Sequence, residues 1–202
     1  MTSKDDILAA IRRHQGAETA LPDLRQEWIR YADPLAQFQA LVQSVGGRSV
    51  RIATADEIAP LLAAIPEFTI ATRVVSKVPG VASTFDFDTV EDPHQLESVD
   101  WAVLPAQFGV AENGAVWVTD EHLRHRAIYF IVQHLALVMP ADQIVHNMHE
   151  AYERVTVGGS SLGLFMSGPS KTADIEQSLV IGAHGPRSLT LFLVGPAPLT
   201  EN

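Results

Sequence analysis

Residues 49–75 read SVRIATADEIAPLLAAIPEFTIATRVV, and their hydrophobic pattern changes twice. "SVRIAT" (49–54) alternates like a half-buried strand, "ADEIAPLLAAI" (55–65) repeats at helical spacing, and "FTIATRVV" (68–75) returns to β-branched residues. Parallel strands need a crossover, and an intervening helix supplies one, so this order is the grammar of a parallel sheet. The expected fold is α/β: a mostly parallel sheet flanked by helices.

Toward the N-terminus, residues 5–13 read as a short helix that Ser3 can cap, with Asp5 and Asp6 at its positive end and Arg12 and Arg13 at its negative end. From Leu24, the positions Trp28, Tyr31, Leu35, Phe38, Val42 and Val45 fall in steps of three and four, one apolar stripe along a second helix. Asp33-Pro34 breaks and restarts that helix, and Gly46-Gly47 ends it. Residues 1–32 form an N-terminal helical arm in this reading and 33–202 the main domain. The stripe packs on the chain's own core, or its first part is an arm exchanged between subunits.

Toward the C-terminus, residues 76–100 read as a covering loop. "WAVLPAQFGV" (101–110) and "GAVWVT" (114–119) read as two strands joined across "AEN". "HLALVMP" (134–140) is a buried strand, followed by a helix over 141–155. "SLGLFMS" (161–167), "SLVIGAH" (178–184) and "LTLFLVG" (189–195) supply further strands, the last two as an antiparallel pair closing a sheet edge.

The composition excludes several function classes. The 202 residues are 47% hydrophobic and 19% charged, ordinary for a chain that buries a core. Twenty-four acidic against 14 basic residues give a formal charge of -10, which repels nucleic acid in the absence of a basic patch. With no cysteine, this chain holds no disulfide, thiolate metal site or cysteine-ligated iron–sulfur cluster. No run reaches the roughly 18 apolar residues of a membrane span, and the N-terminus lacks a signal-peptide core, so the cytoplasm is the default compartment.

Three segments carry candidate chemistry. In "SGPSKTADIE" (167–176) the Gly163 to Gly168 spacing imitates a phosphate loop, but Pro169 and Ser170 intervene before Lys171-Thr172, and proline removes an amide donor. A more general reading places Ser167, Gly168, Pro169 and Ser170 before a helix starting near Thr172, whose free amides would take an anion or carboxylate. Asp174 and Gln177 have capping-box spacing, so a capped helix with nothing bound is the competing reading. In "GVAENGAVWVTD" (109–120), Glu112 and Asn113 stand at a strand end where a carboxylate could act as nucleophile or base; equally, Asn-Gly is a strong hairpin signal. In "IGAHGPRSL" (181–189), His184 stands beside Gly185 and could move protons or be structural. The pairs His122/His125 and His146/His149 lack the zinc-helix pattern and read as solvated helix faces; no metal site is expected.

Taken together, these three segments resemble the lactate-utilisation (LUD domain) family, in particular its lactate utilization protein C branch. The family pattern runs approximately A-E-T-G-T, then G-P-S-R-T-A-D-I-E, then G-x-H-G-P, and "LVQSVGGRSV" (41–50) is similar to its opening helix and strand. Lys171 stands where the family usually has arginine, and Asn113 and Ala115 replace two threonines.

The resemblance implies a fold akin to CoA transferases, ribose-5-phosphate isomerase and glucosamine-6-phosphate deaminase. It also implies a role in oxidising L-lactate to pyruvate, as the component without clusters beside iron–sulfur subunits. Glu112 and His184 are then the proton-handling pair. Gly109, Asn113, Gly114, Ser167, Gly168, Pro169, Ser170, Lys171, Thr172, Asp174, Glu176 and Gly185 are the binding residues, at the carboxyl edge of one sheet. The Ala-Glu-Asn-Gly stretch also resembles the catalytic turn of class I CoA transferases, with Glu112 as nucleophile and a homodimer supplying the second domain. A metabolite sensor without chemistry is the third reading.

Overall fold

HLALVMP and SLTLFLV have no charged residue and no glycine, the composition of strands buried on both faces. In the computed structural model they lie side by side in the middle of a five-stranded, wholly parallel sheet, with Ser188 opposite His134 and Val194 opposite Pro140. The structure describes residues 3–14, 16, 20, 26–156, 158–173 and 179–195.

In chain order the elements begin with α1 (Ser3–Arg13), α2 (Pro34–Ser44), β1 (Arg48–Ile52), α3 (Ile58–Ala63), α4 (Pro66–Thr69) and β2 (Val74–Ser76). Next come β3 (Trp101–Pro105), β4 (Phe108–Val110), β5 (Ala115–Thr119), α5 (Ile128–Ile131), β6 (His134–Pro140) and β7 (Ile144–Val145). The last are α6 (Met148–Arg154), β8 (Gly163–Met166), β9 (Lys171–Ala173), β10 (Leu179–Ile181) and β11 (Ser188–Val194). The parallel sheet runs β1-β11-β6-β3-β2; a second sheet runs β7-β4-β5-β8, and β9 and β10 form a separate antiparallel ribbon.

The parallel sheet is covered on both faces. One core gathers Phe38, Leu104, Leu135, Leu137 and Leu191 under α2; the other gathers Ile58, Leu62, Trp101, Val103 and Phe192 under α3. Burying each such side chain contributes about 1.5–3 kcal/mol. Asp33 caps α2 by accepting the Ala36 N–H at 2.9 Å, and Pro34 occupies the first helical position. Strand–helix–strand logic and the α/β class therefore hold.

Several local expectations change. "FTIATRVV" is not one strand: Pro66 starts α4, and only Val74–Ser76 is extended. "WAVLPAQFGV" divides after Pro105, which has no N–H to extend the ladder, and its two parts enter different sheets. The segment after β6 forms β7 before α6 begins at Met148. β10 does not pair with β11: it pairs with β9, while β11 lies between β1 and β6.

The predicted second helix is confined to Pro34–Ser44, since residues 27–31 are not helical; Leu24 lies outside the described residues. Trp28 instead stacks on His149 with ring centroids 3.3 Å apart, and the Tyr31 N–H donates to His146 Nδ1 at 3.0 Å. Arg30 pairs with Glu150 at 2.7 Å, and Asn147 Nδ2 donates to the Ile29 carbonyl at 2.9 Å. His146 and His149 thus hold the chain entering α2. Neither His122, with φ 60°, nor His125, whose ring nitrogen lies 2.8 Å from the Val90 carbonyl oxygen, is on a helix.

Candidate functional site

Two of the three sequence segments close around one cavity. Ser167–Lys171 leaves the end of β8 and turns back at Gly168, whose φ of +74° suits glycine. His184–Pro186 approaches from the other side just before β11. The Ser170 N–H donates to the Pro186 carbonyl and the Gly182 N–H to the Ser170 carbonyl, both at 2.9 Å. Gly185 allows the contact, because a Cβ there would lie 3.0 Å from Ser170 Cβ.

Between these turns lies a cavity of about 320 Å³. Its polar rim includes Ser170, Lys171 and His184, and its walls include Tyr129, Leu135, Leu164 and Leu189. No Asp or Glu lines it among the described residues. Lys171 and His184 have no hydrogen-bond or ion-pair partner among those residues. Lys171 runs past the turn after α2: a Cβ on Gly46 would be 3.6 Å from its Cε. The Tyr129 hydroxyl donates to the Thr119 carbonyl at 2.9 Å, and burial, with a smaller contribution from Asp120, raises its pKa; it stays protonated and committed.

The cavity does not sit at the carboxyl edge of the sheet. His184–Pro186 and α5 precede β11 and β6, and Gly46 precedes β1, so the site is at the amino edge of the parallel strands. The helix expected to start near Thr172 does not begin there, and residues 174–178 lie outside the described residues. Lys171–Ala173 is strand β9, with Thr172 opposite Val180, so no helix N-terminus presents its amides there. β-Branched Thr172 and Val180 favour this cross-strand pairing. Asp174, Glu176 and Gln177 lie outside the described residues.

The first segment takes a different position. Glu112 does not line the cavity: its Oε2 accepts the Met148 N–H at 2.8 Å, at the start of α6. Asn113 Oδ1 accepts the Ala115 N–H at 3.0 Å, shaping the β4–β5 turn, and the Asn113 carbonyl accepts the Ser167 hydroxyl, also at 3.0 Å. Gly109 and Gly114 are packing positions. A Cβ on Gly109 would lie 2.8 Å from the Phe38 ring, and one on Gly114 2.9 Å from the Val42 nitrogen in α2. The cavity walls Tyr129, Leu135, Leu164 and Leu189 were not singled out in the sequence, where they read as ordinary core.

In two other surface cavities charged side chains already have partners. Lys77 meets Asp88 at 2.6 Å in one; in another, Asp120 accepts Ser161 at 2.5 Å and Arg124 donates to the Val90 carbonyl. His134, at the amino edge but outside the cavity, bonds Ser188 at 2.8 Å; burial, reinforced by Arg187, lowers its pKa against the pull of Glu67 and Asp100. Among the described residues no group of three or more His, Asp or Glu is placed to hold a metal ion, and no helix is long and apolar enough to cross a membrane.

A two-sheet α/β domain with a cationic cavity at the amino edge of its parallel strands is the class that fold and site define. The LUD-domain family model matches residues 71–194, and the chain belongs to that family. An uncharacterised protein of Neisseria meningitidis is 24% identical over 183 residues, 87% of this chain and 75% of the relative. Lactate utilization protein C of Geobacillus kaustophilus is 34% identical over 104 residues, 48% of this chain and 43% of the relative. Its counterpart in Shouchella clausii is 30% identical over 121 residues, 57% and 53% respectively. The matched stretches thus span about half of these lactate-utilisation proteins. In fold the chain is similar to a crystal structure of a DUF162-family protein from Deinococcus radiodurans, with a TM-score of 0.61 at 21% identity, covering 80% of this chain and 96% of that one.

Proposed function

We propose that the chain is a cluster-free accessory component of L-lactate oxidation to pyruvate, working beside iron–sulfur subunits, and that its amino-edge cavity holds a small carboxylate. Its family and the relatives named lactate utilization protein C support the pathway. One observation carries the binding role: Lys171 and His184, unpaired among the described residues, meet in a cavity that no described carboxylate lines. Lys171 neutralises the ligand carboxylate as a point charge, without the bidentate fork of the arginine usual in the family. His184 is the group in reach of a hydroxyl or keto oxygen next to that carboxylate, where it holds or takes up a proton. Electron removal falls to partners, because oxidation of a hydroxy acid needs an acceptor that these residues do not form.

Lactate-dependent dye reduction, measured with the chain alone and with its iron–sulfur partners, tests the role. Activity is expected only in the mixture, falling on omission of this chain; robust turnover by the isolated chain would overturn the accessory assignment. Glu112 has no part in this scheme, because its carboxylate caps α6 away from the cavity lining.

A further inference from the structure

The cavity is larger and more apolar than a three-carbon hydroxy acid needs. At about 320 Å³ the cavity falls in the size range of sites for drug-sized ligands, whereas L-lactate has only six non-hydrogen atoms. Much of the wall is carbon: Leu164 and Met166 of β8 are half-buried and present surface to it, while Leu135 and Leu189, at the starts of β6 and β11, are buried core side chains. Phe130 closes the rim and remains 44% exposed, although large aromatic side chains are usually covered.

A second depression of about 460 Å³ shares Phe130, His184 and Gly185 with the first and continues along Ile131 and Val132. The cation therefore stands at one end of an apolar trough. A short polar anion would leave most of that trough wet, and its walls would contribute nothing to binding.

We infer that the preferred ligand is a carboxylate with an apolar chain, about six to nine carbons in all, seated with its head at Lys171 and its tail against Leu164, Met166 and Phe130. This rests on the carboxylate-binding reading of Lys171 and specifies which carboxylates the site takes. It does not alter the assignment to lactate oxidation, since an accessory component can carry a ligand other than the pathway's substrate. Each buried methylene contributes about 0.8 kcal/mol, close to a fourfold change in affinity. Because the trough is partly open, a two- to fourfold gain per carbon is expected until it is filled.

The test is calorimetric titration of the full chain with L-lactate, butyrate, hexanoate, octanoate and dodecanoate, repeated on Lys171→Gln and Phe130→Ala. In the unmodified protein the dissociation constant should fall steadily from butyrate to octanoate and then level off, with L-lactate at least tenfold weaker than octanoate. Lys171→Gln should weaken every acid at least tenfold, which also separates the site from detergent-like adsorption. Phe130→Ala should flatten the chain-length dependence, weakening octanoate more than butyrate. Binding that depends on Lys171 but not on chain length would overturn this inference and leave the carboxylate reading intact. If no acid binds, or if binding is indifferent to Lys171, both fail.

Discussion

The turn at residues 110–115 and the paired turns at 167–171 and 182–186 look alike in sequence: short, glycine-bearing, polar at the tip and placed between apolar strands. Their surroundings differ. The first is clamped from both sides, with Gly114 against the backbone of α2 and Glu112 bonded to the first amide of α6. The paired turns bind each other through Ser170, Pro186 and Gly182 but leave Lys171 and His184 without partners among the described residues. A motif residue can thus be fixed by packing or by a ligand, and its hydrogen bonds distinguish the two. Substitutions should show the same division: losses of stability in the clamped positions, losses of binding in the open ones.

The largest effect is expected where the two regions meet. Gly168 combines a positive φ with an approach so close that a Cβ would collide with the Val45 carbonyl oxygen. Gly168→Ala should cost about 2–5 kcal/mol, joining left-handed strain to backbone overpacking. Chemical denaturation measures it; a loss below about 0.5 kcal/mol would mean that this turn is not held against α2. Gly109→Ala should follow at about 1–3 kcal/mol, since Phe38 is fully buried and its ring has nowhere to retreat. If the folded Gly109→Ala protein kept full stability but lost carboxylate binding, Gly109 would belong to the site and the proposed division would be wrong.

Glu112→Gln sharpens the contrast at a smaller scale. Its carboxylate meets the positive end of α6, so removing the charge should cost about 0.3–1 kcal/mol and leave carboxylate affinity within twofold. Intact-mass analysis after incubation with acyl-CoA donors should show no adduct on Glu112. A covalent acyl adduct there would restore the transferase reading.

These differences mark what the sequence could show. β6 and β11 were legible because buried parallel strands need unbroken apolar runs, and the start of α2 because Asp33-Pro34 satisfies both the cap and the fixed φ of a first turn. The ribbon that Lys171 opens was not legible: "KTADIE" carries helix-capping signals locally, whereas Lys171–Ala173 is a strand in which Thr172 pairs with Val180. The edge of the sheet was hidden for a related reason. Whether a turn lies at the amino or carboxyl edge depends on which strand follows it and how that strand pairs. The "AHGP" turn falls at the amino edge because β11 enters the parallel sheet beside β1 and β6 instead of pairing back on β10. Of the site itself, Ser170, Lys171 and His184 were visible as chemistry-bearing types, but its apolar walls were indistinguishable from core.

The smallest stability change tests the division most directly. Lys171 is exposed and has no partner among the described residues, so Lys171→Gln removes no interaction seen within the fold. Its stability should stay within about 0.5 kcal/mol of the unmodified protein. Ligand-induced thermal stabilisation at a given acid concentration should nevertheless shrink sharply, because stabilisation by a bound acid scales with its occupancy of the folded state. Lys171→Arg provides the counterpart: it keeps the charge and adds the bidentate fork, so a carboxylate should bind at least as tightly as before. A Lys171→Gln protein that unfolds several degrees lower without ligand would place Lys171 among the clamped residues, and the contrast between the regions would lose its physical basis.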